Sequence, residues 1–325
     1  MAEAVPARPL AAGRAKSGEA SPRRRWRKWV TYRISDPLYG GLYFAIHFAG
    51  RFLPIDWCSA IGGLLGVVGW RCRNPALRER LGRWYRALSQ GDAGGRNSDA
   101  AVRRLFEHLG RVALEFSVLD RLWAAGRINA IGAEHLLAAR HAGQPVIVMG
   151  VHVGNWEVVG PTLIGLGLGG FQFIYQPPPS RFDHRILVGA RTRYGAMMLC
   201  PGVAAARAAH RLLVGQRGVL LIYVDEERRG HVNAPLFGRQ IPARSNLAAV
   251  VRYAWASGAA VIPAYVERLE GAHFRTIFLP PVGLAPEGED RSGALVENVH
   301  RLDRVITPIV LGHLDQWYML FEGRS

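Results

Sequence analysis

From Pro145 onward, short apolar, β-branched runs alternate with stretches of helical periodicity, and this alternation constrains the fold more than any other feature of the chain. Strands are predicted near 146–151, 171–175, 218–224, 260–266 and 274–279, with helices near 155–166, 182–194, 203–215, 245–257 and 292–311. Strands that are apolar on both faces must be covered on both faces. The pattern therefore predicts an α/β fold with a mostly parallel sheet flanked by helices. Pro308 falls inside the last helix, where its missing amide proton favours a kink. Upstream, Leu77, Leu81, Trp84, Tyr85 and Leu88 share one helical face, and so do Val102, Leu105, Phe106, Leu109, Val112, Phe116 and Leu119. The Gly-rich stretch at 89–95 between them reads as a loop. A chain of 325 residues with 49% hydrophobic content can bury a substantial core, as one large α/β domain or two smaller ones.

The N-terminal third differs in character. Residues 1–30 carry +6 of the net charge of +16, lack apolar periodicity over their first part, and read as a disordered basic tail. Its end, Arg23, Arg24, Arg25, Trp26, Arg27, Lys28 and Trp29, mixes cations with indoles, a combination suited to an anionic bilayer surface and equally to a solvated tail. Twin arginines also occur in export signals, but no apolar core with a small-residue cleavage site follows here. Residues 31–72 hold two apolar stretches, Leu38 to Gly50 and Trp57 to Trp70, each short of the roughly 20 residues needed to cross a bilayer as a helix. They are expected to form a membrane-associating helical region lying on or dipping into the bilayer, the alternative being a buried core hairpin. Residues 73–325 form the α/β domain.

Net charge comes almost wholly from arginine, since Lys16 and Lys28 are the only lysines. Such a balance attracts anionic membranes, nucleic acid and acidic proteins alike. No zinc-finger or RNA-binding signature is present, so nucleic acid is not an expected partner, and a non-enzymatic basic membrane-binding protein is the rival class. Cys58, Cys72 and Cys200 are odd in number and far apart, which points to no disulfide framework; no HExxH or close His cluster predicts a metal.

Chemistry concentrates in VIVMGVHVGNWEVVG, residues 146–160. The strand delivers His152 at its carboxyl end, where open α/β sheets place ligands. Gly154 permits a turn, Asn155 is positioned to cap the next helix, and Glu157 falls in that helix's first turn. A turn of this kind lets Glu157 meet the imidazole, fix its tautomer and stabilise the imidazolium formed when His152 takes a proton. The spacing alone carries little weight, because eleven histidines yield roughly one such coincidence by chance. A satisfied structural pair is the competing interpretation.

HVGNWE resembles the signature of the bacterial lipid A late acyltransferases, the lauroyl and myristoyl transferase family, and the resemblance runs from about residue 40 to the end. IYQPPPSRFDHRILVGARTRYG is similar to the family's second block and maps its arginine to Arg191, with Gly195 after it. LLIYVDEERRG resembles the strand ending in an aspartate, here Asp225. The segment from Asn233 to Arg268, with Phe237 and Gly238 in its turn, and the closing GHLDQWYML follow in family order. The chain departs from the pattern at Glu226 and Glu227, where Gln or His is common, and at its end, where Leu320-Phe321-Glu322-Gly323-Arg324 replaces a basic run. An asparagine common in the family's Arg-rich segment has only an arguable counterpart in RCRNPALRERL.

The resemblance implies an acyltransferase that uses an acyl thioester co-substrate and no bound cofactor. It further implies acyl carrier protein as donor, a lipid A precursor as membrane-lipid acceptor, and a place on the cytoplasmic face of the bacterial inner membrane. An arginine-rich surface would steer an acidic carrier protein. His152 is then the expected base and Glu157 its orienting carboxylate. Arg191 and the backbone amides after His152 are candidate oxyanion donors, with Asn155 in the same group. Asp225 is expected to position an arginine or the acceptor, or to serve only as a salt bridge or cap. The lost basic groups leave the acceptor open to a lysophospholipid, ornithine lipid or glycolipid, with acyl coenzyme A as an alternative donor.

Overall fold

The computed structural model describes residue 26 and residues 29–322, except 90–97, 179, 201, 229 and 243–244. Most of the basic tail and of the 89–95 loop therefore lies outside the described residues. A π-helical stretch, Thr31–Gly40, runs on into α1 (Gly41–Gly50), followed by α2 (Ile55–Cys72), α3 (Pro75–Leu88) and α4 (Ser98–Glu115). Asn74 begins α3 by accepting the Ala76 amide at 2.9 Å, with Pro75 at the first helical position, where no amide proton is needed.

One face of α2, including Cys58, Ser59, Gly62 and Gly63, packs against α4. Gly62 and Gly66 meet Phe106 and Gly110 so closely that a Cβ at either glycine would fall within 2.5 Å of a backbone oxygen. Any larger residue would push the helices apart. The opposite face does not pack: Leu64 is 64% exposed and Trp57 63%, and Phe52 in the turn before the helix is 76% exposed. The two apolar stretches are thus half buried, not the interior of a core hairpin. Among the described residues no helix is long and apolar enough to cross a membrane.

The α/β part begins with β1 (Ile128–Ile131) and α5 (Ala133–His141), then β2 (Val146–Gly150), a 3₁₀ turn Trp156–Val158 and α6 (Val159–Gly165). It continues through β3 (Gln172–Ile174), α7 (Arg181–Arg193), β4 (Met197–Leu199), α8 (Val203–His210) and β5 (Val219–Tyr223). A small hairpin, β6 (Glu227–Arg228) and β7 (His231–Val232), precedes α9 (Asn246–Ser257), β8 (Ala260–Arg268), β9 (Phe274–Phe278) and α10 (Arg291–Gly312), which continues through Pro308. The seven-stranded sheet has the order β1-β9-β8-β2-β5-β3-β4. Every pairing in it is parallel except β8 with β9, so the α/β, mostly parallel expectation holds.

Strand alternation divides β2 between two cores. Ile147 and Met149 join Ile222, Val251 and Leu302 on one face, while Val146 and Val148 join Leu221, Leu163 and Phe173 on the other. Both faces are apolar because both are covered. β2 lies between β5 and β8, and the register pairs Gly150 with Tyr223. His152 and Asp225 each follow the register partners by two residues, so neighbouring strands release them side by side at one edge.

Candidate active site

His152 leaves β2 on a loop with little freedom. Gly154 adopts φ +59, and a Cβ there would lie 1.9 Å from the Val266 carbonyl oxygen, so the turn admits only glycine. The C-terminal segment holds the same loop from outside: the Gly154 amide donates to Gln316 O at 3.1 Å and the Tyr318 amide to His152 O at 2.9 Å. Asp225, fully buried, accepts from the ring Nδ1 of His152 through Oδ1 at 2.8 Å. Its Oδ2 accepts from the His152 backbone amide and from the Trp317 indole, each at 2.8 Å. A carboxylate only accepts, so Nδ1 carries the ring proton and the lone pair resides on Nε2. Around the partly exposed imidazole, Tyr223 stacks at 4.4 Å, Trp156 meets it edge-on at 5.4 Å, and Tyr318 stacks on Trp156.

The expected pairing of His152 with Glu157 is not the one formed. The 3₁₀ turn carries Glu157 away from the imidazole to α7, where Arg191 grips it with Nε at 2.9 Å and Nη2 at 2.6 Å. The Trp156 indole adds a third donor at 3.1 Å. Both members of this ion pair are buried, and the guanidinium lies over the Phe173 ring at 4.6 Å. Burial alone would lower the Arg191 pKa; the charge and hydrogen bonds of Glu157, with Tyr194 and Tyr223 nearby, overcome it and hold the group above its ordinary value. Burial, with the Glu157 charge, drives Tyr223 well above the usual phenol range, so its hydroxyl stays protonated and donates to Trp156 O at 2.6 Å.

The oxyanion expectations also shift. Two nitrogens of Arg191 are committed to Glu157, and its buried Nη1 has no partner among the described residues. The first amides in line are taken too: His152 donates to Asp225, Val153 to Val151 O and Gly154 to Gln316 O. Asn155 stands before the 3₁₀ turn but makes no side-chain cap; its amide instead donates to Glu115 at 2.7 Å. Glu115 in turn takes a two-pronged contact from Arg268 at 2.6 and 2.7 Å, and Arg268 Nε donates to His108 at 3.0 Å. Burial, helped by Arg268, pushes His108 down to about 3, so it sits neutral as the acceptor of that bond. The loop is therefore braced by two buried ion pairs, one on each side.

Sequence reasoning did not single out Trp317, Tyr223, Glu115 or Arg268. Glu115 did leave a signal, as a carboxylate within the apolar stripe that runs along α4 into Phe116. Trp317 left none, because its target lies ninety-two residues away.

Beyond β5, Glu226 accepts from the Asn246 amide at 2.9 Å and from Asn233 at 3.0 Å, while its other oxygen is buried with no partner among the described residues. Burial outweighs these donors and raises its pKa from 4.5 to about 7. Because the folded value exceeds the unfolded one, the stability that the protonated form confers is present below 4.5 and is lost as pH climbs through 7. Glu226→Gln, which mimics the neutral acid, is expected to flatten that decline. Above pH 7 it should stabilise the fold by on the order of 2–3 kcal/mol, read from urea midpoints of both proteins across pH 4–8. Equal slopes in the two proteins would refute this.

Among the described residues no group of three His, Cys, Asp or Glu side chains converges as a metal site. What the arrangement offers is an oriented imidazole whose Nε2 bonds to none of the described residues, in an aromatic frame, on a rigid loop. No curated protein sequence matches the chain. The model of one family, described as bacterial lipid A biosynthesis acyltransferase, matches residues 32–322, a span that takes in the whole sheet, His152, Asp225 and the C-terminal segment. With nearly all of its length matched, the chain belongs to the bacterial lipid A biosynthesis acyltransferase family.

Proposed function

We propose that this protein transfers a fatty acyl chain from acyl carrier protein to a hydroxyl of a membrane-borne lipid A precursor, with His152 as general base. The observation that carries the reading is the fully buried Asp225 carboxylate on Nδ1, which leaves Nε2 as the proton acceptor. Nε2 takes the proton of the acceptor hydroxyl as its oxygen attacks the thioester carbonyl. The resulting imidazolium is stabilised by Asp225, and the proton passes to the departing thiolate as the tetrahedral intermediate collapses. Asp225 is the orienting carboxylate. Glu157, Arg191 and Asn155 are positioning residues that hold the loop between α7 and α4.

The exposed apolar side chains of α1, α2 and the turn between them, with Phe52 and Trp57 among them, lie on the membrane and deliver the site to its lipid. Residues 1–30 add cations to that contact at the cytoplasmic face of the inner membrane. Trp57→Asp combined with Leu64→Glu is expected to weaken binding to vesicles containing anionic phospholipid by about tenfold or more, measured by sedimentation. Exposed positions of this kind leave stability within about 0.5 kcal/mol. Wild-type affinity in the double variant would remove this surface from the account.

A second reading keeps the chemistry and changes the acceptor. Tyr318, packed beside His152, donates to Glu322 and feels the charge of Glu227, so carboxylates stand near the imidazole where a phosphorylated headgroup would have to approach. These carboxylates favour a less anionic acceptor, such as an ornithine lipid or glycolipid. The test supplies purified protein with acylated carrier protein or acyl coenzyme A and extracted lipids, and identifies the product by mass spectrometry, with His152→Ala as the control. Acylated lipid A precursor supports the first reading and another acylated lipid the second. Turnover undiminished in His152→Ala removes both.

A further inference from the structure

We infer that Trp317 is a positioning residue of the acyl-transfer site, its indole N–H holding the Asp225 carboxylate in the orientation that fixes His152. The inference rests on the reading of His152 as base. Asp225 meets three donors, two from His152 itself and the third from Trp317. Both His152 donors move with the loop, so they cannot anchor the carboxylate against it. Trp317 can, because it belongs to a different element and is fully buried between Trp84, stacked at 6.5 Å, and Phe237, edge-on at 6.1 Å. A buried indole needs a partner for its one polar atom, and here that partner is the site's carboxylate.

The connection is reinforced along the backbone. Trp317 pairs with Val153 in an antiparallel bridge, flanked by the hydrogen bonds from Gly154 to Gln316 and from Tyr318 to His152. Residues 316–318 thus register the His152 loop against Asp225. Without that donor the carboxylate is held only by the loop it orients and gains freedom to swing. Its average hold on the Nδ1 proton weakens, the imidazolium is less stabilised, and the base is protonated only at lower pH.

The test compares the wild type with Trp317→Phe and with a protein carrying benzothienylalanine at 317, which preserves the indole's shape and lacks only the N–H. Both are expected to lose about tenfold to a hundredfold in kcat, the range set by one charge-assisted hydrogen bond, with KM changed less than about twofold. The acid limb of the pH–rate profile should move to lower pH. The Nδ1–H proton resonance of His152, which needs no turnover, should move upfield. A packing role alone predicts that the benzothienylalanine protein matches the wild type in all of these, which would overturn the inference. A moved resonance with unchanged kcat and pH profile would also overturn it, since the contact would then exist without consequence. Full turnover in His152→Ala beside a moved resonance would sink the general-base reading while leaving the contact itself established.

Discussion

Asp225→Asn is expected to reduce kcat by about 10³- to 10⁴-fold while leaving the fold in place. The amide is the same shape and can satisfy its neighbours: its oxygen accepts from the His152 amide and the Trp317 indole, which now share the position of Oδ2. Its NH₂ group then faces Nδ1, which has to become the acceptor. The ring proton moves to Nε2, and the nitrogen that would take the substrate's proton no longer has a lone pair. His152→Ala sets the floor for this comparison, and the double variant should be no slower than the slower single one, because the two residues act as a unit. Glu157→Gln is expected to cost far less than Asp225→Asn, since Glu157 does not touch the imidazole. Steady-state rates for the four proteins decide the matter. Near-normal turnover in Asp225→Asn, with a severe loss in Glu157→Gln, would return the orienting role to Glu157.

The second large effect is on stability. Arg191→Ala strands the Glu157 carboxylate in a pocket where the pair is 9% and 5% exposed at the side chain, and unpairing a buried charge costs about 3–5 kcal/mol. Denaturant midpoints should fall accordingly. Arg191→Met together with Glu157→Gln removes both charges and preserves volume, and it is expected to recover most of the loss. The exposed pair Arg83–Glu79, at 60% and 68%, supplies the contrast: Arg83→Ala should change stability by no more than about 0.5 kcal/mol. Equal costs for Arg191→Ala and Arg83→Ala would mean that burial does not govern the first pair.

Legibility in the sequence followed the strength of local signals. β2, β5, β8 and β9 lie within a few residues of their predicted places, because buried parallel strands announce themselves as unbroken apolar runs. β1 and β4 were not foreseen. They are edge strands of four and three residues in which no side chain is buried, too short to stand out as runs. The helix expected at 155–166 begins instead as a 3₁₀ turn, because the Asn155 side chain is drawn to Glu115 and does not cap. In the loop after β2, proximity along the chain favours Glu157 as the carboxylate for His152, whereas the fold pairs His152 with Asp225 and Glu157 with Arg191.

What the sequence determined on its own was the class of fold and the end of the sheet at which His152 emerges: apolar runs of strand length must be buried, and a histidine following one emerges at the sheet's carboxyl end. What only the tertiary structure decided was which carboxylate stands beside it. His152 and Asp225 lie seventy-three residues apart, and they meet because β2 and β5 are neighbours in a register that pairs Gly150 with Tyr223. Strand order and register are set by the packing of whole helices on both faces of the sheet. No local pattern encodes them, so a five-residue spacing pointed to Glu157 where a hydrogen-bonded ladder delivers Asp225.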